Sequence, residues 1–244
     1  MKKRCVWFVG AAAAAAAIFI GCCGGPAKAA EHTEDFLESC FRDENTPSYL
    51  TLYYRRKHLQ FALTPHPSNP VVFFGDSMTD RGDWNKLFPD VPLINLGIGG
   101  DTTAGLLNRI DQVIDMQPPK IFLMIGTNDL CFYRDVPETL KNYDKILSIL
   151  HRELPDTDIY IESVLPYNDT IFPAAGLRSN ENILTLNEGI KKLAEKYNDP
   201  YLDITPDFTA PDGRLPAGLT VDGLHLNQKG YELWRDKITK YVKS

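Results

Sequence analysis

The chain has 244 residues, of which 43% are hydrophobic and 24% are charged. This composition excludes a disordered or fibrous chain, and the length is enough for one domain with a substantial buried core. With 26 basic and 32 acidic side chains the net charge is −6, so neither nucleic acid nor an anionic membrane surface is expected as the main partner.

The start of the chain has the order of a secretory signal. Residues 2–4 are basic, residues 5–21 carry no charge, and residues 27–29 offer small side chains before a cut after Ala29. A basic start, an apolar stretch and a small-residue cleavage site are the three parts of such a signal. We therefore predict an exported protein, whose net charge without residues 1–29 is −10 because 22 basic and 32 acidic side chains remain.

Two other outcomes remain open for this signal. Ile20-Gly21-Cys22-Cys23 resembles a bacterial lipobox, in which Cys22 or Cys23 is lipidated and attaches the protein to a membrane. An uncleaved anchor is the third outcome, although the apolar stretch is short for a span of about 20 residues. All three place the body outside the cytoplasm, in the periplasm, at the cell surface or in the medium.

Cysteine has little part in the predicted chemistry. Of the five cysteines, Cys40 and Cys131 lie beyond the signal, which is too few for a disulfide framework or a cysteine metal site. They either pair in an oxidising compartment or stay as two separate thiols. Neither neighbours a histidine, so a cysteine nucleophile is not favoured.

Beyond the signal we predict a leader over residues 30–69 and one domain over residues 70–244. A helix over Tyr49–Phe61 is expected to pack on that domain, in which short apolar runs alternate with apolar residues spaced about 3.6 positions apart. The predicted strands are Val71–Phe74, Pro92–Leu96, Ile121–Ile125, Ile159–Leu165 and Tyr201–Ile204, and the predicted helices are Thr103–Met116, Val136–Leu154, Glu181–Tyr197 and Asn227–Val242. This alternation predicts an α/β fold with helices on both faces of a five-stranded parallel sheet.

Polar and glycine-rich segments follow the first three predicted strands, over residues 75–77, 97–101 and 126–129. Ligands bind outside the carboxyl ends of parallel strands, so these segments are expected to meet at one edge of the sheet. That edge is therefore the predicted functional site.

Ser77 is the candidate nucleophile, and a serine needs a neighbouring base. Of the five histidines, His225 stands out because it lies in a loop before a predicted helix, three residues after Asp222. Nucleophile, base and orienting acid are the roles of a catalytic triad. Candidate donors to a developing oxyanion are the backbone N–H groups of Ser77 and Gly100 and the side-chain amide of Asn128.

At these residues the chain resembles the SGNH/GDSL hydrolase family. Residues 75–79 (GDSMT), 95–103 (NLGIGGDTT), 126–129 (GTND) and 222–225 (DGLH) are similar to its motifs and follow them in order. The resemblance covers roughly residues 70 to 242. It implies a flavodoxin-like, three-layer α/β/α fold and ester hydrolysis without a metal or other cofactor.

The resemblance also implies the role of each residue. Ser77 is the nucleophile, Asp222 and His225 are the acid and base, and Ser77, Gly100 and Asn128 form the oxyanion hole. Each motif is short, but four in family order, each at a predicted strand end or in a loop before a predicted helix, are specific. The set is also similar to the platelet-activating-factor acetylhydrolase-like branch of the family.

The same residues have plainer interpretations. Asp76 and Ser77 are good helix caps, and the glycines after the second strand suit a tight turn. Asp76, Asp101 and Asp129 either bind a divalent cation or cap helices and bond to the loops. The glycines lack the GxGxxG spacing of a dinucleotide site, and Thr79 replaces the second glycine of an α/β-hydrolase elbow.

The substrate is predicted from two loops, residues 166–180 and 206–219, which are expected to wall the pocket. Their large side chains are Tyr167, Phe172, Arg178, Phe208 and Arg214. No long apolar lid is visible, so we expect an acetyl or other short ester, with export pointing to a carbohydrate or glycan. The alternatives are a lysophospholipid or acetylated lipid, a thioesterase or acyltransferase, and a non-catalytic glycan-binding surface protein; no oligomeric state is predicted.

Overall fold

The computed structural model describes residues 46–244. The predictions for the secretory signal, for lipidation at Cys22 or Cys23 and for a pair formed by Cys40 fall outside these residues. Cys131 is half-buried at the end of a helix, and its pairing with Cys40 stays a prediction. No helix in the described range is long and apolar enough to cross a bilayer.

The chain divides into two units between residues 55 and 56. Helix α1 (Leu52–Leu63) crosses this boundary, close to the predicted helix over Tyr49–Phe61. In the second unit, the Lys57 ammonium of α1 lies 2.8 Å from a carboxylate oxygen of Asp80. The limits of the predicted leader and domain stay predictions.

One five-stranded sheet lies in the second unit. Its strands are β1 (Val71–Gly75), β2 (Leu93–Gly97), β3 (Lys120–Met124), β4 (Asp158–Glu162) and β5 (Tyr201–Leu202). All neighbours are parallel, and the spatial order is β2-β1-β3-β4-β5, which is the flavodoxin-like order. The predicted α/β class with a five-stranded parallel sheet is therefore confirmed.

Eight further helices connect and follow these strands within the described residues. They are α2 (Ser77–Asp80), α3 (Trp84–Leu87), α4 (Thr103–Asn108), α5 (Asp111–Ile114), α6 (Thr127–Cys131), α7 (Val136–Glu153), α8 (Asn180–Tyr197) and α9 (Gln228–Val242). The three long ones begin after Asp135, Ser179 and Asn227, whose side chains each accept a backbone N–H of the first turn. Such caps satisfy donors that have no partner inside the helix, and they explain where these helices start.

The sheet is buried on both faces because successive strand residues point to opposite sides. Val72 and Phe74 lie in a core with the apolar residues of α4, α5, α7 and α8. On the other face, Phe73, Phe122 and Tyr160 stack across three neighbouring strands, with ring centroids 5.0 and 4.8 Å apart, in a core shared with α3 and α9. Helices thus cover both faces, which gives the predicted three layers.

The prediction of one helix over Thr103–Met116 is wrong. The structure has two short helices, α4 and α5, which are separated at Arg109 and Ile110. Arg109 leaves the helical conformation, with a φ of −129°, and its side chain is fully buried against the ends of two strands. The backbone breaks because this guanidinium turns inward toward carbonyl groups.

The last two strands are shorter than predicted. Beyond β4, the backbone N–H and C=O of Val164 bond to the side chain of Asn187 at 2.8 Å each and not to a neighbouring strand. Beyond β5, the N–H of Ile204 bonds to the hydroxyl of Ser163 at 3.0 Å. Side chains thus take over the backbone groups that a longer ladder would use.

Candidate active site

Ser77 lies at the turn from β1 into α2, at the carboxyl edge of the sheet. Asp76 caps this helix, because its carboxylate accepts the N–H of Met78 at 2.9 Å. Ser77 is the first helical residue and is 6% exposed. The plainer interpretation of Asp76 as a cap therefore holds, and the cap places the Ser77 N–H at the start of a helix, where backbone donors point outward.

Three side chains from distant parts of the chain form a hydrogen-bonded row. His225 Nε2 lies 3.0 Å from Ser77 Oγ, and His225 Nδ1 lies 2.6 Å from Asp222 Oδ2. The other oxygen of Asp222 accepts the backbone N–H groups of His225 and Leu224, at 2.7 and 3.0 Å. The carboxylate thus holds both the ring and its backbone, and the second ring nitrogen faces the hydroxyl.

The loop that carries His225 is itself braced. The carbonyl of His225 accepts the N–H of Val221 at 3.0 Å and the hydroxyl of Thr220 at 2.7 Å. The same hydroxyl also accepts the N–H of Gly223 at 2.8 Å. These bonds close the loop on itself, so the imidazole is oriented by its own segment.

Electrostatics around the imidazole favour its neutral form. Burial is the largest cause that lowers the pKa of His225, the bond to Asp222 opposes it, and the positive charges of Arg81 and Arg178 lower the pKa further. For Asp222, burial raises the pKa, but the hydrogen bonds from the side chain and backbone of His225 and from Leu224 lower it on balance. A neutral imidazole beside an ionised carboxylate is the state in which histidine can accept a proton.

The loops after β2 and β3 flank the serine because β1 lies between these two strands. The loop after β2 holds Gly100 at a φ of +77°, and a side chain there would meet no atom within 4 Å. The Asn128 amide donates to the carbonyl of Asp101 at 2.9 Å. This bond joins the two loops and uses one of the two hydrogens on that nitrogen.

A second bond ties the Gly100 loop to the helix of the serine. The N–H of Gly99 donates to Asp80, in the last turn of α2, at 3.0 Å. The loop after β2 is therefore bonded both to α2, which follows β1, and to the segment after β3, and the three segments lie at one edge of the sheet.

Arg109 also stabilises the loop that follows β2 and holds Gly100. It donates to a carboxylate oxygen of Asp101 at 2.8 Å, to the carbonyl of Leu96 at 2.7 Å and to that of Gly75 at 3.0 Å. Burial raises the pKa of Asp101 to about 6, although Arg109 and the N–H of Thr102 counteract part of this effect. Sequence reasoning missed this residue; the available signal was a charge at position 109 on the apolar stripe of Leu106 and Val113.

The three aspartates that raised the possibility of a metal site have protein partners. Asp129 accepts the N–H and hydroxyl of Thr103, at 2.9 and 2.6 Å, and pairs with Arg134 at 2.6 Å. Asp101 pairs with its arginine, and Asp76 caps its helix. Burial raises the pKa of Asp76 to about 7, although the hydrogen bond from the N–H of Met78 acts to lower it. Residues 46–244 hold no group of three or more His, Cys, Asp or Glu arranged to bind a metal ion.

The side chains expected in the pocket wall lie in different surroundings. The ring of Phe172 lies edge-on to His225, with centroids 6.4 Å apart. The ring of Phe208 is fully buried in the core shared with α9, so its predicted place in the pocket wall is wrong. Arg214 forms ion pairs with Asp169 of the neighbouring loop and with Asp212 of its own loop. The guanidinium of Arg178 packs against the ring of Phe172.

Comparison with known proteins shows which family this chain matches. The model of the GDSL-like lipase/acylhydrolase family matches residues 73–233. Among curated proteins, the platelet-activating factor acetylhydrolase IB subunit alpha2 of Rattus norvegicus is 30% identical over 182 residues, which cover 72% of this chain and 77% of the relative.

Solved structures share the fold. A protein of Streptococcus pneumonia, described as a candidate platelet activating factor, superposes with a TM-score of 0.71 at 28% identity, over 89% of this chain and all of the other. An acetyl xylan esterase superposes with a TM-score of 0.61 at 24% identity, over 71% of this chain and 99% of the other.

Proposed function

The chain belongs to the GDSL-like lipase/acylhydrolase family, and on that premise we propose that it is an exported serine esterase which removes short acyl groups from a carbohydrate through an acyl-enzyme. The observation that carries the proposal is the 3.0 Å contact between Ser77 Oγ and His225 Nε2, with Asp222 on the other ring nitrogen. The family accounts for the esterase class, and the pattern of residues 1–29 supports export.

The proposed reaction has two halves. Ser77 Oγ attacks the ester carbonyl while its proton passes to His225 Nε2, and the carbonyl oxygen becomes an oxyanion. The N–H groups of Ser77 and Gly100 and the free amide hydrogen of Asn128 are the donors proposed to bind it. The imidazolium, stabilised by Asp222, then protonates the leaving alkoxide, and the acyl group stays on Ser77.

Water completes the cycle. His225 Nε2 takes a proton from a water molecule whose oxygen attacks the acyl-enzyme carbonyl, and the same donors bind the second oxyanion. Its collapse expels Ser77 Oγ, which recovers the proton from the imidazolium. The products are a free carboxylic acid and the alcohol, with no oxidant, metal or cofactor consumed.

The short acyl group is proposed from the sequence, in which no long apolar lid is visible around the predicted site. A small cavity that borders Asp76 and Thr127 has a volume of about 10 Å³, roughly that needed for one water molecule, and has no residue of the proposed triad in its lining, so it does not define the acyl site. A larger cavity of about 300 Å³ lies between α1 and β2 and has no residue of the proposed triad in its lining. The likeness to an acetyl xylan esterase concerns the fold, but it agrees with a carbohydrate acetyl ester.

An acetylated lipid is the second candidate. The chain is 30% identical to a platelet-activating factor acetylhydrolase subunit. Large apolar side chains are also exposed in the loops near the catalytic edge: Phe132, Tyr133, Ile171, Leu177 and Val221. A lipid substrate would give these side chains an apolar partner.

Two assays test the proposal. Purified protein is expected to hydrolyse p-nitrophenyl acetate, with kcat/KM falling along a series of chain lengths from acetate to decanoate. Ser77→Ala is expected to lose about 10³-fold or more of this activity while its unfolding temperature stays unchanged. Retained activity in that variant contradicts the assignment, and an inactive wild type favours a non-catalytic glycan-binding protein.

The second assay separates the two substrate classes. Acetate release is measured from acetylated oligosaccharides and from a short-chain acetylated phospholipid, both at equal ester concentration. The proposal predicts faster release from the oligosaccharides, and faster release from the lipid assigns the protein to the second candidate.

A further inference from the structure

One buried guanidinium near the site lacks an ionic partner. Arg178 is 4% exposed, its Nε is buried without a hydrogen-bond partner, and its guanidinium forms no ion pair within residues 46–244. Its Cζ lies 4.9 Å from the ring centroid of Phe172 and 5.3 Å from that of Tyr167. The two rings hold the charge by cation–π contact, but aromatic rings leave the N–H groups of a guanidinium without proper acceptors.

Other arginines of the described chain show what a partnered guanidinium looks like here. Arg109 is fully buried and paired, Arg134 is partly buried and paired, and Arg214 of the facing loop pairs with two aspartates. A charge taken out of water without a counter-ion is expensive, and structures avoid it outside functional sites. Arg178 is the exception among these four.

Arg178 lies close to the catalytic row. It precedes α8, at the end of the segment that leaves β4 at the edge where Ser77 lies. The ring of Phe172, against which the guanidinium packs, lies edge-on to that of His225, with the two ring centroids 6.4 Å apart. The positive charge of Arg178 also lowers the pKa of His225 and of Asp76, so its field reaches both groups beside the nucleophile.

The residue is held in place by its backbone. The hydroxyl of Tyr167 donates to the carbonyl of Arg178 at 2.9 Å, and the next residue, Ser179, caps α8. A guanidinium that is fixed by its surroundings loses little entropy when it binds a ligand, which is the property of a prepared subsite.

We propose that Arg178 binds an anionic group of the substrate, a carboxylate or a phosphate close to the scissile ester. The proposal deepens the proposed function and rests on it: the substrate is an acidic ester, such as an acylated uronic acid or an acylated glycerol phosphate. Both anions present two oxygens that match the fork of a guanidinium. The bound anion supplies the negative charge that Arg178 lacks among the described residues.

The test compares charged and neutral esters of the same skeleton. The carboxylate arm uses O-acetylated methyl glucuronoside against O-acetylated methyl glucoside, and the phosphate arm uses acetylglycerol phosphate against monoacetylglycerol. We expect Arg178→Gln to lower kcat/KM about 10- to 100-fold on the anionic ester of one arm, mainly through KM. For the neutral esters, kcat/KM is expected to change less than about 3-fold. The arm in which the anionic ester loses activity identifies the bound anion as a carboxylate or a phosphate.

Two further variants control for charge and for folding. Arg178→Lys keeps the charge without the fork and is expected to retain an intermediate preference for the anionic ester. Arg235→Gln removes a charge from the exposed surface of α9, where the arginine pairs with Asp236, and is expected to keep the full preference. If Arg178→Gln lost kcat/KM equally on charged and neutral esters, the role of Arg178 would be structural and the proposal would be overturned. A wild type that does not prefer the anionic ester in either arm would overturn it as well.

A binding measurement separates this proposal from the proposed function. Calorimetric titration of Ser77→Ala with glucuronate or with glycerol phosphate needs no turnover. Binding of one of these anions that is lost in Ser77→Ala/Arg178→Gln supports the subsite even if no esterase activity is found. Equal affinity of the two proteins for both anions overturns the subsite while leaving the esterase assignment intact.

Discussion

At the scale of single residues, the chemistry depends on the protonation of His225. Burial first, and then the charges of Arg81 and Arg178, lower its pKa below the ordinary 6.5. Only the neutral ring can accept a proton from Ser77, so activity is lost as the pH falls through this lowered pKa. We expect kcat/KM for p-nitrophenyl acetate to rise with a midpoint below pH 6.5 and to stay flat through neutral pH; a midpoint above 6.5 contradicts the account.

Asp222 acts on this ring in two ways. Its carboxylate orients the imidazole and raises the pKa of His225 against the other influences. We expect Asp222→Asn to lower kcat about 10²- to 10⁴-fold, because the amide favours the wrong tautomer, and to move the midpoint of the pH profile further down. Asp212→Asn removes an exposed carboxylate of the loop before His225 and is the matched control. An unchanged midpoint in Asp222→Asn would contradict this role.

Gly100 and Gly213 provide a matched test of the oxyanion hole. Both have positive φ values, +77° and +80°, and at both a side chain would meet no atom within 4 Å. Alanine at either position is therefore expected to destabilise the fold by about 1 kcal/mol through backbone strain alone. Only Gly100→Ala places a methyl group and a strained N–H where the oxyanion is proposed to bind, so it is expected to lose at least about 10-fold in kcat. Equal activities of the two variants would remove Gly100 from the site.

At the scale of secondary structure, most of the sheet could be predicted from the sequence. The first three strands are continuous apolar runs that end near glycines, and three long helices carry a 3.6-residue apolar period with capping residues in front. What could not be predicted lies where a side chain displaces the regular backbone pattern. Arg109 breaks a helix by turning to strand carbonyls, and Asn187 ends β4 by taking the backbone bonds of Val164. Such exchanges depend on tertiary neighbours and leave little local signal.

Arg109 links the ends of β1 and β2 to the Gly100 loop, and its loss tests that link. Arg109→Met would leave Asp101 as a buried charge without its ionic partner and would remove the guanidinium bonds to the carbonyls of Leu96 and Gly75. We expect this variant to lose about 3–5 kcal/mol of unfolding free energy in urea titrations. Adding Asp101→Asn removes the stranded charge and is expected to restore part of the loss. A double variant no more stable than Arg109→Met would show that the ion pair is not the source of the effect.

At the scale of the whole molecule, the candidate site joins residues that are 148 positions apart. Sequence reasoning could name Ser77 and His225 because parallel strands carry their loops to one edge and because four motifs stand in family order. It could not find the unpaired state of Arg178 or the burial of Phe208, since both depend on which loops pack together. The motif residues were visible in the chain, but their charge environment was not.

Export depends on the pattern of residues 1–29 and is still a prediction. Expressed in a bacterial host, the full chain is expected to leave the cytoplasm and to have a mature N-terminus at Ala30 by mass spectrometry. Deletion of residues 2–29 is expected to retain it in the cytoplasm. A diacylglyceryl-modified N-terminus at Cys22 or Cys23 would instead establish a lipoprotein, and an intact N-terminus in the cytoplasm would contradict export.

The most direct test of the central claim is covalent labelling of the nucleophile. The protein is treated with a fluorophosphonate, digested with trypsin, and the peptide of residues 58–81 is fragmented in a mass spectrometer to separate Ser77 from Ser68. The account predicts one phosphonyl group on Ser77, formed in step with loss of p-nitrophenyl acetate hydrolysis and absent from Ser77→Ala. Complete loss of activity with Ser77 unmodified, or with the label on another residue, would contradict it.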